Sequence, residues 1–347
     1  MNEIVLDDAP VRENLFPFTL TRPVADIRVG ILTIREKWEK LFNDTIGTGT
    51  AASPSAIVLP ANIIPDIDLI NAIKEKKQDQ YLQSTNTLKI IKYPWHIFQL
   101  NDEIIKTDFI LITKGRRSAI ISSTNKLIHP EDIFIEEGAK VEHAFLNASA
   151  GPIYIGKNAE VMEGAMIRGP FALCESSTVK MGSRIYGSTI GPYSVVGGEI
   201  KNSVIFGYSN KAHDGYLGDS VIGEWCNIGA GSSNSNIKNS AGEVKVWNQS
   251  SKEFLSPGLK CGLLMGDYSR CAINTSFNTG TVIGVCCNVF GDGLTPKYIR
   301  NFSWGYAPYT KYGFDNAIRD IDNWKKLKNQ SMSDMEIRTL KHIFEQT

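Results

Sequence analysis

One histidine, His213, stands in a stretch of small polar residues, and this stretch is where the sequence offers chemistry. It runs from Lys201 to Asn236 and is rich in hydroxyl, amide and glycine residues. An imidazole exchanges a proton near neutral pH, so a histidine in these surroundings can serve as a general base. The other interpretation is a histidine that is only packed and hydrogen-bonded, and the stretch alone leaves both open.

An apolar residue returns every six positions on both sides of this stretch. Upstream the series is Ile155, Val161, Ile167, Leu173, Val179 and Ile185. Downstream it is Ile222 and Ile228, and then Met265, Cys271, Phe277, Ile283 and Val289. Neither a helix, which repeats about every 3.6 residues, nor a strand, which repeats about every two, gives this period. The pattern predicts a β-helix from about Ile133 to Phe290, with the recurring side chains stacked in one core.

The repeat is interrupted between Asn234 and Pro257, where the six-residue spacing disappears. A loop of this length is usually functional or disordered. Val244, Val246 and Trp247 within it predict that it packs against the rest of the molecule.

The first 125 residues lack the six-residue period and alternate strand-like with helix-like segments. The predicted strands are 4–6, 57–59 and 108–113, and the predicted helices are 27–42 and 66–77. Residues 43–56 are small and polar, which predicts a loop. The alternation predicts a small α/β domain.

Arginines near the start of the predicted 27–42 helix are candidates for contact with a nucleotide or a phosphate. Arg22 and Arg28 flank this start, with Pro23 in the expected first turn, and Arg12 lies upstream. A helix N-terminus favours a bound phosphate. The competing interpretation, which we prefer, is a solvated basic face.

The chain ends in two predicted helices. Residues 314–327 carry apolar side chains at helical spacing, and Ser333 with Glu336 has the signature of a capping box. We therefore divide the chain into an α/β domain at 1–130, a β-helix at 131–305 and a helical segment at 306–347.

Charge and composition exclude several classes of function. Lysine plus arginine and aspartate plus glutamate both number 37, so there is no basic excess of the kind that nucleic-acid binders carry. No apolar run is long enough to span a bilayer, and no basic segment followed by an apolar run opens the chain. The six cysteines form no C-x-x-C pair, which favours core thiols in a reducing cytoplasm.

The segment KAHDGYLGDSVIGEWCNIGAG, which contains His213, resembles a known acetyltransferase domain. This domain belongs to the bifunctional UDP-N-acetylglucosamine pyrophosphorylase / glucosamine-1-phosphate N-acetyltransferase family. The family's H-x-x-Y-L-G-D and N-I-G-A-G segments match positions 213–219 and 227–231 in spacing. Positions 199–202 match its E-I-K-N, and 166–168 are similar to its I-R-P. The whole chain looks still more like a variant seen in Bacteroidetes-type bacteria.

The resemblance covers roughly residues 133–305 and implies a left-handed parallel β-helix that assembles into a homotrimer. It implies acetyl-CoA as co-substrate and an amino-sugar phosphate or a sugar nucleotide as the small-molecule partner, with neither nucleic acid nor membrane involved.

The same resemblance implies roles for individual residues. His213 would be the catalytic base, and the Ala230 backbone would face the acetyl-CoA thioester. The acceptor would be held by Arg168 and Lys201 at its phosphate and by Tyr216, Asn227 and Asn236 at its sugar. Ile237 follows Asn236 where the family has a tyrosine.

The N-terminal domain departs from the family. A sugar nucleotidyltransferase carries a G-x-G-x-R loop after its first strand, and the N–H groups of such a loop hold nucleotide phosphates. Here DDAPVRENL follows the first strand and contains no glycine. A diverged or vestigial domain is at least as compatible with this sequence as an active one, and Mg²⁺ is expected only with an active one.

Three functions follow from these observations. The first is acetyl transfer to an amino-sugar 1-phosphate in sugar-nucleotide biosynthesis, with or without coupled nucleotidyl transfer. The second is a sugar-phosphate nucleotidyltransferase whose β-helix only assembles the trimer. The third is a non-catalytic trimer that binds a sugar nucleotide. The polar stretch around His213 favours the first.

Overall fold

The computed structural model of the chain describes residues 3–49, 56–84 and 87–347. Positions 50–55 of the predicted 43–56 loop lie outside these residues, and its remainder includes the short strand Gly47–Thr48. None of the helices in the described ranges is long and apolar enough to cross a membrane.

The N-terminal part is the expected small α/β unit. Its strands are Ile4–Asp7, Gly47–Thr48, Ile57–Pro60, Ile63–Ile64 and Lys89–Ile90. Its helices are α1 (Ile34–Phe42), α2 (Ile67–Lys74), α3 (Gln78–Ser84) and α4 (His96–Thr113), with short 3₁₀ turns at Glu13–Leu15 and Val24–Asp26. The first strand pairs in parallel with the second and third. The predicted strands 4–6 and 57–59 and the predicted helix 66–77 are therefore confirmed.

Two predictions in this part are wrong. The helix expected over 27–42 begins only at Ile34, because Thr33 and Glu36 cap it reciprocally and fix its first turn. The strand expected over 108–113 is the last part of α4, in which Ile105, Asp108 and Ile112 are buried at helical spacing. A short apolar run does not by itself distinguish a strand from a buried helix.

A parallel β-helix follows, built from three sheets. It begins with the strand Lys126–Ile128, earlier than the expected Ile133, because this strand pairs with Phe145–Asn147 of the next coil. It also extends past Phe290, through Tyr298–Ile299 and Ser303–Trp304. A further 3₁₀ turn, Pro130–Asp132, lies between the first two strands.

We call the first sheet the covered sheet. Its strands are Ile133–Ile135, Ile153–Ile155, Phe171–Leu173, Thr189–Ile190, Val204–Gly207, Val221–Glu224, Leu263–Met265, Thr281–Ile283 and Tyr298–Ile299. The N-terminal domain packs on its outer face, where Phe18 lies 5.1 Å from Phe206 between ring centroids. Phe206, Val221 and Leu264 share one buried cluster with residues of that domain.

We call the second sheet the open sheet, because its outer face is exposed. Its strands are Lys126–Ile128, Phe145–Asn147, Met166–Arg168, Arg184–Tyr186, Glu199–Lys201 and Tyr216–Gly218. The paired strands Ser233–Asn234 and Ser276–Phe277 lie farther along the chain.

The third sheet completes each coil. It contains Lys140–Val141, Glu160–Val161, Thr178–Val179, Val195–Val196 and Asn210–Lys211, and later Arg270–Cys271, Asn288–Val289, Ser303–Trp304 and Thr310–Lys311. Single bridges through Asn227 connect the two groups.

The core of the β-helix confirms the six-residue pattern. Ile155, Val161, Ile167, Leu173, Val179 and Ile185 are each at most 2% exposed and belong to one cluster. All six cysteines are buried free thiols, as expected. Inside the interruption, Val246–Asn248 and Glu253–Leu255 form an antiparallel hairpin, and Val244 and Val246 are buried against the N-terminal domain. Thus the interruption packs, as predicted.

Helices α5 (Phe314–Lys326) and α6 (Asp334–Glu345) end the chain. Ser333 and Glu336 cap α6 reciprocally, which confirms the predicted capping box. Both helices contribute to a cluster with Trp225, Tyr268 and Phe302 of the β-helix.

Candidate functional site

His213 lies at a corner of the β-helix, between the third sheet and the open sheet. The preceding strand ends at Lys211 and the next begins at Tyr216, so residues 212–215 form the corner. The His213 side chain is exposed, and its imidazole makes no hydrogen bond to another residue in the described part of the chain. It is therefore open to solvent and to a ligand.

Ala230 lies at the same corner, one coil farther along. Asn210 is bridged to Asn227, so the residues that follow each of them are stacked. The Gly231 N–H donates to the Asp214 carbonyl at 3.2 Å, which joins the two corners directly. The backbone around Ala230 thus lies beside His213.

Two columns of polar side chains run along the outer face of the open sheet. Strand pairing aligns Arg168, Tyr186 and Lys201 in one column. It aligns Arg184, Glu199 and Tyr216 in the other. The Lys201 ammonium lies 5.5 Å from the centroid of the Tyr186 ring. This face therefore presents several cations within a few strands of the His213 corner.

Asn236 and Tyr216 are held together by a carboxylate that sequence reasoning did not single out. The Asn236 amide donates to the Tyr216 hydroxyl at 3.2 Å and also to Asp219. Asn202 donates to the other oxygen of Asp219 at 2.6 Å. Asp219 is buried. Burial, followed by the charge of Asp219, raises the pKa of the Tyr216 hydroxyl to about 12, so Tyr216 stays protonated.

A signal for Asp219 was present in the sequence. Residues 202, 219 and 236 are spaced by one coil each, and all three carry short polar side chains that can form hydrogen bonds along a corner. Asp219 also closes the Y-L-G-D segment quoted above. Only the coil length, which the structure reveals, makes the three positions neighbours.

Asn227 lies around the corner from this group. It belongs to the outer column of the third sheet, between Asn210 and Arg270. The structure therefore brings together Arg168, Lys201, Tyr216 and Asn236 on one face, places His213 and Ala230 at the edge of that face, and leaves Asn227 on the adjoining one.

The arginines proposed for a nucleotide lie elsewhere. Arg22 is 9% exposed and forms ion pairs with Asp267 and, at 3.4 Å, with Glu224. Burial alone would lower the pKa of the Arg22 guanidinium, but the two carboxylates raise it above its ordinary value. The Arg28 guanidinium donates to the Ile31 carbonyl and lies 3.8 Å from Glu36.

The contacts of Arg22 and Arg28 fit neither interpretation offered for these two arginines from the sequence. Arg22 is buried rather than solvated, and it precedes a helix that starts at Ile34 instead of lying in its first turn. Arg12, paired with Asp8 at 2.9 Å, keeps 43% of its side chain exposed. In the described ranges, no three His, Cys, Asp or Glu side chains are grouped closely enough to hold a metal ion.

Small residues line the third sheet beside the His213 corner. The outer positions next to the corner in successive coils are Gly197, Ala212, Gly229 and Ala272. A Cβ on Gly197 would lie 2.4 Å from the Ala212 carbonyl oxygen, and one on Gly229 would lie 2.5 Å from the Ala272 carbonyl carbon. The coils are therefore in close contact here. Because these residues are glycine or alanine, no large side chain protrudes from the surface beside His213.

Comparison with known proteins finds several that are similar to this chain in sequence. The family model described as sugar nucleotidyl transferase matches residues 4–88 and 59–117. A bifunctional sugar-1-phosphate nucleotidylyltransferase/acetyltransferase of Sulfurisphaera tokodaii is 29% identical over 172 residues, 46% of this chain and 39% of that protein.

Two proteins named bifunctional protein GlmU are also similar. That of Methanocaldococcus jannaschii is 32% identical over 138 residues, 40% of this chain and 31% of its own length. That of Methanococcus maripaludis is 26% identical over 289 residues, 81% of this chain and 64% of its own. The chain thus spans less than two thirds of each of these relatives, the first of which is named as a transferase.

Among solved structures, that of the polySia-specific acetyltransferase NeuO covers 54% of this chain and 81% of its own, at 12% identity and a TM-score of 0.22. That score is too low to support an argument. The sequence matches therefore show similarity only: the N-terminal domain resembles sugar nucleotidyl transferases, and the chain as a whole is similar to bifunctional nucleotidyltransferase/acetyltransferase proteins.

Proposed function

We propose that this protein is an acetyl-CoA-dependent N-acetyltransferase that acts on an amino-sugar 1-phosphate, in sugar-nucleotide biosynthesis of the UDP-N-acetylglucosamine type. One observation carries the proposal: an exposed histidine at a corner of the β-helix adjoins a face with Lys201, Tyr216 and Asn236. The bifunctional relatives support the acetyl-transfer chemistry.

In the proposed reaction the acceptor amine attacks the thioester carbonyl of acetyl-CoA. A C–N bond forms and the C–S bond breaks, so coenzyme A leaves as its thiol. His213 takes the proton that the amine loses and returns one to the departing sulfur. The thioester carbonyl oxygen develops negative charge during the attack. In this proposal the backbone around Ala230, one coil away at the same corner, stabilises that charge.

The acceptor is held on the open sheet. Lys201 and Arg168, in one column with Tyr186 between them, supply positive charge for the phosphate. Tyr216 and Asn236 supply hydrogen-bonding groups for the sugar, and Asp219 orients Asn236. The small residues Gly197, Ala212 and Gly229 leave room for the extended arm of acetyl-CoA beside His213.

The active assembly in this proposal is a homotrimer. Asn227 lies on the sheet that adjoins the His213 corner, where it could complete a site with residues of a second copy. The first strands of the open sheet also form a groove of about 530 Å³ in which Ile128, Phe145 and Met166 are at least half exposed. A second copy would cover such an apolar surface. Light scattering that gives the mass of one chain at micromolar concentration would reject the trimer.

Nucleotidyl transfer is the second candidate function, and it is favoured by the family model that matches residues 4–117. The segment after the first strand still lacks glycine, and Arg12 is the most exposed of the three candidate phosphate ligands. We assign no residue to Mg²⁺, because the described carboxylates are not grouped to hold it.

Ligand-dependent melting separates these functions. Acetyl-CoA and glucosamine 1-phosphate should each raise the melting temperature of an acetyltransferase, since a ligand that binds only the folded state stabilises it. UTP should raise it only if the N-terminal domain binds nucleotide. Release of coenzyme A thiol in the presence of glucosamine 1-phosphate then measures acetyl transfer. If thiol release stays at the uncatalysed rate while sugar nucleotides raise the melting temperature, the chain is a binding protein.

A further inference from the structure

A lysine lies inside the β-helix next to the His213 corner. Strand pairing aligns Lys211 with an inward column of valines that consists of Val141, Val161, Val179 and Val196. Like them, Lys211 is buried, at 3% exposed. An ammonium in an apolar column is costly unless hydrogen bonds compensate it.

The partners of this ammonium are the main-chain carbonyls of the corner itself. The Lys211 Nζ donates to the carbonyl oxygen of His213 in a short hydrogen bond, and to that of Asp214 at 3.2 Å. From inside the coil, the Lys211 side chain thus contacts the main chain of His213 itself and of the next residue, Asp214, while the His213 imidazole points outward.

Neighbouring corners are closed in a different way. In the corners 162–165, 180–183 and 229–232, the N–H of the fourth residue donates to the carbonyl of the first, at 3.3, 3.4 and 3.2 Å. Ser183 and Thr275 add a hydroxyl bond to the first carbonyl of their own corners. Within the part of the chain described, the corner 212–215 has neither bond, and Lys211 contacts its carbonyls instead.

The glycine at the fourth position of the corner explains why no hydroxyl bond forms there. Gly215 has φ +115°, and a Cβ there would lie 2.0 Å from the Ser232 carbonyl oxygen. In the coil below, a Cβ on Gly198 would lie 2.9 Å from the His213 carbonyl oxygen. No side chain at either position can therefore carry a hydroxyl into the corner, and the ammonium of Lys211 binds the carbonyls of the second and third corner residues, His213 and Asp214, instead.

We propose that Lys211 is a positioning residue for His213: its ammonium holds the corner carbonyls from inside the β-helix and so fixes the imidazole for acetyl transfer. The inference rests on the proposed role of His213 as the base. Burial lowers the pKa of the Lys211 ammonium to about 8, and Asp214 and Cys271 oppose this with smaller effects. The direction is the one expected for an ammonium that is buried among apolar side chains.

The test compares Lys211→Met, which keeps the length of the side chain but removes the ammonium, with the wild-type protein. The rate constant kcat for acetyl-CoA and glucosamine 1-phosphate should fall by about 10-fold to 100-fold, because misplacement of a catalytic group slows the chemical step. Both KM values should change by less than about threefold, because Lys211 is buried inside the β-helix and not on the surface proposed to bind the substrates. The melting temperature should not fall, since replacing a buried charge by an apolar side chain is often neutral or stabilising.

A second measurement does not depend on activity. The chain has five histidines, so the imidazole signals can be resolved by NMR and the His213 signal assigned with His213→Ala. Lys211→Met should shift the His213 signal and leave the other four in place. Lys140→Met, which removes an exposed lysine of the same sheet far from His213 in the coil order, should leave the His213 signal in place.

The outcomes separate the two proposals. If the wild-type protein transfers no acetyl group but Lys211→Met shifts the His213 signal, the proposed function fails and the positioning stands. If folded Lys211→Met keeps the wild-type His213 signal and kcat, the positioning role is wrong. Lys211→Val, which continues the column of valines, is the second variant should the methionine not be accommodated, and the same results are expected of it.

Discussion

The covered sheet and the open sheet belong to one β-helix and share one core, yet their outer faces are opposites. On the covered sheet most of the outward residues are apolar, as at Phe206, Val221 and Leu264, and the N-terminal domain buries these three. On the open sheet most of them are charged or aromatic, as at Arg184 and Lys201, apart from the exposed apolar Ile128 and Met166 of its first strands, and most remain at least partly accessible.

The difference shows that two faces of one repetitive fold can have separate roles, one in stability and one in ligand binding. Strands buried on both faces read as continuous apolar runs, such as Leu263–Met265, whereas strands with one free face alternate, such as Glu199–Lys201. Stability should therefore depend mainly on the covered sheet, and ligand chemistry on the open sheet and its corner. Four experiments test this division, from the largest expected effect to the smallest.

His213→Ala should lower kcat for acetyl transfer by about 10²–10⁴-fold, the usual contribution of a general base. The melting temperature should stay within about 1 °C of wild type, because an exposed side chain contributes little packing. His143→Ala, at an exposed corner of an earlier coil, is the control and should be fully active. Full activity of His213→Ala would show that His213 is not the general base.

Phe206→Ala should cost about 3–5 kcal/mol in the free energy of unfolding, because it opens a cavity between the covered sheet and the N-terminal domain. The measurement is urea unfolding followed by circular dichroism. Met181→Ala, which truncates a side chain that is 66% exposed at a corner beside the open sheet, should cost less than about 1 kcal/mol. Equal losses in the two variants would contradict the division between the sheets.

Lys201→Ala should raise KM for glucosamine 1-phosphate by about 10-fold to 100-fold, as expected for loss of a charged hydrogen bond worth about 1.5–3 kcal/mol. The rate constant kcat should change little, because the phosphate is contacted in the ground state and the transition state alike. Lys140→Ala, on the third sheet, is the control. A drop in kcat at unchanged KM would instead place Lys201 near the reacting atoms.

The smallest effect concerns Lys211 and pH. Its folded-state pKa of about 8 lies below the value of about 10.5 expected for an unfolded lysine. Between these values the unfolded chain binds more protons, so the free energy of unfolding rises with pH. From pH 7 to pH 9 the wild-type protein should gain about 1 kcal/mol relative to Lys211→Met. Parallel urea titrations at the two pH values measure this difference, and its absence would argue against a buried ammonium.

The sequence by itself determined the β-helix and the residues of its core. A period of six leaves no other regular structure for Ile155 to Ile185, and burial of these side chains depends only on the period. The motif around His213 also pointed to the candidate site, because its spacing is read directly from the chain. The capping box at Ser333 was equally local.

What the tertiary structure decided is which residues meet across coils and domains. Asp219 joins Asn202 and Asn236 only because each coil returns to the same corner. Arg22 became a buried ion-pair partner because Asp267, 245 residues away in sequence, lies opposite it on the β-helix. Likewise, residues 108–113 form a helix because α4 packs on the covered sheet, a contact between segments that no local pattern contains.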